Sequence, residues 1–113
     1  MPHDFPKMQE YHIQGVMHVL MTEAKSMIAA GNALLVDVRE QDEVMNGRPE
    51  LGTAYLHCPL SAFMQYVDGL PTDKTLIIMC AHGIRSIQVT AWFRQHGRED
   101  VLNLDGGFEA YRG

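Results

Sequence analysis

Short apolar runs alternate along this chain with segments of helical periodicity. The two strongest runs span residues 33–38 and 75–80, and Asp37 is the only charged residue in either. Continuous rather than alternating apolar character is typical of strands that are buried on both faces of a sheet. Three shorter runs predict further strands, at residues 15–20, 54–57 and 101–104.

The segments between these strands carry helix signals. Thr22 is positioned to cap a helix over residues 23–30, and Gly31 is a typical helix-ending residue. Residues 85–96 place their apolar side chains on one broad helical face. Shorter helices are expected over residues 41–45 and 61–69, and after the turn at 105–107. Strands that alternate with helices predict an α/β fold, in which helices cover both faces of an open parallel sheet.

Length and composition indicate one domain. The chain has 113 residues, of which 46% are hydrophobic and 20% are charged, an average composition for a single domain of this size. Residues 1–14 carry two prolines and little apolar periodicity, so we expect a loose or only partly docked arm with little function. Residues 15–113 are expected to form the domain. No apolar run approaches the roughly 20 residues that span a bilayer, and we expect a cytoplasmic protein without membrane contact.

The charge balance and the cysteine count narrow the range of partners. Nine Lys and Arg against fourteen Asp and Glu give a net charge of −5. This charge opposes binding to a phosphate backbone, so no nucleic acid partner is expected. Two cysteines are too few for the disulfide framework of a small secreted domain, and they fit a reducing compartment. The oligomeric state is left open by the sequence.

The segment from Cys80 to Ser86 joins the strongest predicted strand to the longest predicted helix. A thiol in this position faces the unpaired amides and the positive dipole of a helix N-terminus, and Arg85 adds positive charge. These features favour the thiolate form of Cys80. Gly83 permits a curled loop whose amides point inward and can hold a small anion. The expected substrate is therefore small and anionic.

Each of these side chains also has a purely structural interpretation. Cys80 could be an inert thiol at a strand end, and His82 could be an exposed loop residue without a role. Arg85 is poorly placed beside the positive end of a helix unless a bound anion or Asp37 compensates it. Metal binding is not expected, because the two cysteines do not have the close spacing of zinc-binding cysteine pairs.

Three sequence motifs occur in series: Leu35-Val36-Asp37-Val38-Arg39-Glu40, then Cys80-Ala81-His82-Gly83-Ile84-Arg85-Ser86, then Asn103-Leu104-Asp105-Gly106-Gly107-Phe108-Glu109-Ala110-Tyr111. Together they resemble the single-domain rhodanese family. The resemblance covers residues 16–113. It implies a rhodanese-like α/β fold, in which a five-stranded parallel sheet with strand order 1-5-4-2-3 is flanked by helices on both faces.

The same resemblance implies a sulfurtransferase. Cys80 would accept a sulfane sulfur from a donor such as thiosulfate, hold it as a covalent persulfide without a separate cofactor, and pass it to cyanide, a thiol or a protein acceptor. The loop amides and charge that would bind the substrate belong to Ala81, His82, Gly83, Ile84 and Arg85. The residues expected to support this loop are Asp37, which would act through Arg85, and Arg39, Ser86 and Gly106.

Two other functions remain as alternatives. A module of this kind could be a sulfur carrier or binding domain that works only with a partner protein. A phosphatase or arsenate reductase is less favoured, because Cys80 and Arg85 are separated by four residues, whereas rhodanese-like phosphatases have five in this loop. Thiosulfate is expected to be a poor donor, since Ala81 and His82 stand where such loops often carry Lys or Arg, and acidic residues follow the 33–38 strand.

The second thiol, Cys58, follows the predicted strand at 54–57. In the implied strand order, this strand lies two positions from the strand of Cys80, which is about 9–10 Å at roughly 4.8 Å per strand. A disulfide requires Cα atoms within roughly 7 Å of each other. We therefore expect Cys58 to be a packed, structural thiol that forms no disulfide with Cys80.

Overall fold

Five strands form one sheet in the computed structural model, which describes residues 2–112. They are β1 (His18–Val19), β2 (Ala33–Asp37), β3 (Tyr55–His57), β4 (Thr75–Met79) and β5 (Val101–Leu104). The spatial order is β1-β5-β4-β2-β3, and all four strand pairings are parallel. The predicted α/β fold class and the implied strand order are confirmed.

Helices connect the strands. They are α1 (Met21–Ala29), α2 (Gln41–Val44), α3 (Phe63–Tyr66) and α4 (Arg85–Gln95), with short 3-10 helices at Gly52–Ala54, Leu60–Ala62, Val67–Gly69 and Phe108–Tyr111. The single helix predicted over residues 61–69 is wrong. Its place is taken by α3 and two 3-10 turns, because the backbone of Ala62 leaves the helical region, with φ −125° and ψ 19°.

The start of α1 also differs from the prediction. Thr22 does not cap the helix but lies inside its first turn. The Glu23 carboxylate instead accepts a hydrogen bond from the Leu20 amide at 2.8 Å, which satisfies a free backbone donor and lets the helix begin earlier. The predicted end is confirmed, since Gly31 follows the helix with φ +79°.

The sheet separates two apolar layers. Alternate residues of β4 point to opposite faces, as the pleat of a strand requires. Leu76 and Ile78 pack in the layer that contains α3 and α4, whereas Ile77 and Met79 pack in the layer that contains α1. All four side chains are fully buried. Burial on both faces explains why the sequence of this strand is apolar at consecutive positions.

Residues before β1 are docked onto the sheet. The backbone of His3 exchanges two hydrogen bonds with His18, at 2.9 and 2.8 Å, and so pairs with the outer edge of β1. Further along this segment, the amides of Lys7 and Met8 donate to the Asp105 carboxylate at 2.6 and 2.9 Å. The sequence predicts a loose or only partly docked segment here, and the structure gives this segment defined contacts.

Within residues 2–112, no helix combines the length and apolar character that crossing a membrane would require.

Candidate active site

Three neighbouring strands deliver polar residues to one edge of the sheet. Asp37 ends β2, Cys80 follows β4 and Asp105 follows β5. In open α/β sheets this edge, at the carboxyl ends of the strands, is where ligands bind. Cys80, the candidate nucleophile, follows the central one of these three strands.

The Cys80 sulfur lies at the bottom of the loop that leads into α4. It accepts hydrogen bonds from the amide of Gly83 at 3.1 Å and from the amide of Ser86 at 3.3 Å. The Ser86 hydroxyl lies 3.3 Å from the same sulfur. Its oxygen accepts from the Cys80 thiol, because the hydroxyl proton is donated to Asn103. Cys80 is 1% exposed, and the two amides that donate to its sulfur lie at the N-terminus of a helix. The arrangement stabilises negative charge on the sulfur.

Hydrogen bonds to its carbonyl groups set the orientation of the Cys80 loop. Three donors from outside the loop hold them: Phe108 N binds Cys80 O at 2.8 Å, Glu109 N binds Ala81 O at 2.9 Å, and Gln9 Nε2 binds Gly83 O at 2.9 Å. In a planar trans peptide the carbonyl and the following amide point in opposite directions. The amides of Ala81, His82 and Ile84 therefore point away from these donors. Of the amides in this segment, those of Gly83 and Ser86 point at the Cys80 sulfur, and a nest that binds a small anion stays a prediction.

Two glycines make the loop possible. Gly83 has φ +84°, a left-handed conformation that a residue with a side chain rarely adopts. Gly107 has φ +70° and lies directly against the loop, where an added Cβ would sit 2.5 Å from the Ala81 oxygen. Gly106 was predicted as a supporting residue, whereas Gly107 was not. The Gly-Gly pair after β5 was the available signal.

Arg85 pairs with a different carboxylate from the one expected. Both terminal nitrogens of its guanidinium bind the Glu43 carboxylate of α2, at 2.7 and 2.8 Å. Hydrogen bonding to Arg85 lowers the pKa of Glu43 to about 2, so this carboxylate is ionised at neutral pH. The expectation that Asp37 acts through Arg85 is wrong, because Asp37 is already occupied by another arginine. Glu43 was not predicted as a site residue.

Asp37 is bound by Arg39 beneath the site. The guanidinium of Arg39 contacts both carboxylate oxygens, at 2.8 to 3.2 Å, and the Tyr55 hydroxyl donates to the same carboxylate at 2.6 Å. Arg39 also lies 4.5 Å from the ring centroid of Phe108, whose amide holds the Cys80 carbonyl. Asp37 and Arg39 thus contact the loop indirectly, through Phe108.

A chain of polar side chains extends from the Cys80 sulfur to β1. Ser86 Oγ donates to Asn103 Oδ1 at 2.5 Å, and Asn103 Nδ2 donates to His18 Nδ1 at 3.0 Å. The other ring nitrogen of His18 lies 2.9 Å from His12 Nδ1. Burial lowers the pKa of His18 to about 4, so its ring is neutral at pH 7. Asn103 was missed as a site residue, although a polar residue inside an apolar strand was a visible signal.

The mouth of the site carries exposed and apolar surface. His82 is exposed, and Ile84 is 49% exposed. Beside the loop, a groove of about 320 Å³ begins at Arg85 and continues between the 60–64 segment and α4; its other lining residues are Leu60, Phe63, Met64, Gln88, Val89 and Trp92. The surroundings of the loop are therefore mostly apolar on this side, with one paired arginine.

Cys58 lies apart from this arrangement. Both cysteines are free and buried, and the strand before Cys58 is two positions from β4 in the sheet. Burial raises the pKa of the Cys58 thiol to about 11, which keeps it protonated at neutral pH. Within residues 2–112, no group of three His, Cys, Asp or Glu side chains is placed to hold a metal ion.

A family model described as the rhodanese-like domain matches residues 20–113. The chain belongs to the rhodanese-like family. A relative from Shewanella oneidensis, named thiosulfate sulfurtransferase GlpE, is 32% identical over 100 residues, which are 88% of this chain and 90% of the relative. The family resemblance stated from the three sequence motifs is confirmed.

Solved structures of rhodanese type are similar to this chain. The human single-domain sulfurtransferase TSTD1 is 28% identical with a TM-score of 0.66, and the match covers 83% of this chain and 93% of TSTD1. Reduced Bacillus anthracis CoADR-RHD is 29% identical with a TM-score of 0.73, over 83% of this chain but only 16% of that longer protein. At the level of the family, these matches support a sulfurtransferase.

Proposed function

We propose that this protein is a sulfurtransferase that moves a sulfane sulfur from a small donor to a thiophilic acceptor through a persulfide on Cys80. The observation that carries the proposal is the pair of amides, from Gly83 and Ser86, that donate to the Cys80 sulfur at the N-terminus of α4. These donors favour a thiolate, which is the nucleophilic form of cysteine. Membership of the rhodanese-like family supports the same chemistry.

The reaction proceeds in two displacements at sulfur. The Cys80 thiolate attacks the outer sulfur of thiosulfate, a new S–S bond forms, and sulfite leaves with the electron pair of the old S–S bond. Cyanide then attacks the outer sulfur of the persulfide, thiocyanate forms, and the electron pair of the broken S–S bond returns to Cys80 as a thiolate. No other cofactor is needed, because the cysteine itself carries the sulfur.

The charge at the mouth of the site bears on the choice of donor. The guanidinium of Arg85 is held by Glu43 through two hydrogen bonds, so its positive charge is largely neutralised. Thiosulfate is a dianion, and a neutralised arginine attracts it weakly. The apolar groove beside Arg85 provides surface for an organic group. An organic persulfide or thiosulfonate is therefore the better donor in this proposal.

Intact-protein mass spectrometry tests the covalent step. The wild-type protein, Cys80→Ser and Cys58→Ser are each incubated with thiosulfate and, separately, with an organic persulfide, and then with cyanide. We expect a gain of one sulfur, about 32 Da, in the wild type and in Cys58→Ser, and its removal by cyanide. Cys80→Ser serves as the matched control and should gain nothing at this site.

The outcomes separate the candidate functions. Equal sulfur uptake by Cys80→Ser and the wild type, or no uptake from either donor, would overturn the proposal. A persulfide that forms on Cys80 but supports no steady turnover with cyanide or small thiols would favour the partner-dependent carrier. Release of phosphate from an aryl phosphate would instead favour a phosphatase.

A further inference from the structure

The side chain of Gln9 joins two loops of the candidate site. Its Nε2 donates to the carbonyl of Gly83 in the Cys80 loop at 2.9 Å, and its Oε1 accepts a hydrogen bond from the amide of Gly106 at 2.7 Å. The family match begins at residue 20, so Gln9 lies outside the part of the chain that the family model describes. This contact therefore joins the matched domain to a residue outside the match.

Gln9 lies tightly against the loop. A Cβ built on Gly83 would sit 1.7 Å from Gln9 Oε1, closer than any real atom pair without a bond. The left-handed backbone at position 83 favours glycine, and the Gln9 amide fills the space that a Cβ there would occupy. The packing indicates that Gln9 and the loop form one fitted unit rather than a chance surface contact.

The segment that carries Gln9 is itself anchored. The buried Asp105 carboxylate accepts the amides of Lys7 and Met8, at 2.6 and 2.9 Å. The second proton on Gln9 Nε2 is donated to the carbonyl of Tyr11 at 2.8 Å. Both amide protons and the carbonyl oxygen of Gln9 are therefore in use, which fixes the orientation of the group.

Holding the Gly83 carbonyl also sets the direction of the next amide. The carbonyl of Gly83 and the amide of Ile84 belong to one planar peptide, so the amide points away from Gln9. The amide of Gly83 itself donates to the Cys80 sulfur at 3.1 Å. Gln9 thus fixes the peptide plane immediately after the one that contacts the reactive sulfur.

We infer that Gln9 is a positioning residue of this site, which holds the amides of the Cys80 loop in the orientation that stabilises negative charge on sulfur. The inference rests on the proposed sulfur transfer through Cys80. It assigns a role in the site to residues 7–11, which precede the rhodanese-like domain match.

Substitution of Gln9 by residues of similar length tests this role. Gln9→Met removes the hydrogen bonds to Gly83, Gly106 and Tyr11, whereas Gln9→Glu keeps an acceptor for Gly106 but loses the donor to Gly83. Gln14→Met is the matched control, because Gln14 is an exposed glutamine in the same segment. For Gln9→Met we expect kcat for sulfur transfer to fall about tenfold with KM within about twofold of the wild type. The kcat of Gln9→Glu should lie between those of Gln9→Met and the wild type, and the kcat of Gln14→Met should equal that of the wild type.

Two further measurements separate positioning from stability and from the proposed function. Thermal unfolding shows whether each variant is folded at the assay temperature; a lower Tm with unchanged kcat would overturn the inference. Alkylation of Cys80 by iodoacetamide requires no sulfur donor. We expect slower alkylation of Gln9→Met at neutral pH, with recovery at high pH.

The sulfur-transfer assay and the alkylation assay test the proposed function and the positioning role separately. If the wild type takes up no sulfur but Gln9→Met still slows the alkylation of Cys80, the proposed function fails and the positioning role stands. If the wild type transfers sulfur and Gln9→Met does so at the same rate, the positioning role is overturned and the proposed function stands.

Discussion

Two arginine–carboxylate pairs lie within the site region, and they differ in burial. Arg39 and Asp37 are 1% and 0% exposed, with Tyr55 as a third member. Arg85 and Glu43 are 32% and 31% exposed, and they meet across the mouth of the site. The first pair lies under the loop, and the second borders the space that a substrate would enter.

The difference separates a structural interaction from an adjustable one. A buried charge must keep its partner, because water cannot replace it. A half-exposed pair exchanges its partner for water at little cost in stability. Asp37 and Arg39 therefore fix the architecture under Phe108, whereas Glu43 offsets the positive charge of Arg85 at the mouth of the site.

The largest expected effect comes from making the same change in both pairs. Arg39→Met leaves Asp37 buried without its cationic partner and should lower the free energy of unfolding by about 3–5 kcal/mol. Arg85→Met should lower it by less than about 1 kcal/mol, because Glu43 becomes hydrated. Urea unfolding followed by the fluorescence of Trp92 provides the measurement. Equal losses in the two variants would contradict the distinction between the pairs.

A smaller, kinetic effect is expected from Glu43→Gln. This change releases the guanidinium of Arg85 from its carboxylate, so the KM for thiosulfate should fall about three- to tenfold, with little change in stability. Glu40→Gln is the matched control, because it removes the same charge from a neighbouring residue that binds Ser61 instead. An equal fall of KM in both variants would show that only net charge matters.

The smallest expected effect is the acid response of the exposed pair. The pKa of Glu43 is lowered from 4.5 to about 2 in the folded protein, chiefly by its hydrogen bonds to Arg85. A lowered carboxylate pKa stabilises the fold above the unfolded pKa, and the contribution is lost as the pH falls from 4.5 towards 2. Wild type should therefore exceed Glu43→Gln in free energy of unfolding by at most about 1 kcal/mol at pH 7. The difference should vanish near pH 2, and a constant difference would rule out the ion pair as its source.

The sequence predicted the sheet and the position of Cys80 because both depend on local signals. A continuous apolar run predicts a strand buried on both faces, and the residues from Cys80 to Ser86 predict a turn into a helix. The partner of Arg85 was predicted wrongly because two carboxylates lie near the same strand end: Asp37 is the last residue of β2, and Glu43 lies in the helix that follows it. Sequence spacing does not show which of the two side chains turns towards the guanidinium.

The contacts of Gln9 could not be predicted from the sequence, for a different reason. Its partners Gly83 and Gly106 lie 74 and 97 positions away along the chain. No periodicity or motif connects residues at such separations, and the proline-rich composition of the first fourteen residues favoured a loose segment. Contacts of this kind are set by the packing of the finished fold and not by local propensity.

The pairing of β1 with β5 determines when the site can form. The first strand finds its neighbour only when residues 101–104 are in place, as the register of His18 with Asn103 shows. Two carbonyls of the Cys80 loop likewise accept hydrogen bonds from the amides of Phe108 and Glu109, which lie even later in the chain. Closing such long loops costs entropy that local contacts do not offset, so these steps are slow relative to helix formation. During synthesis, the loop around the Cys80 sulfur therefore takes its final arrangement after most of the sheet has formed.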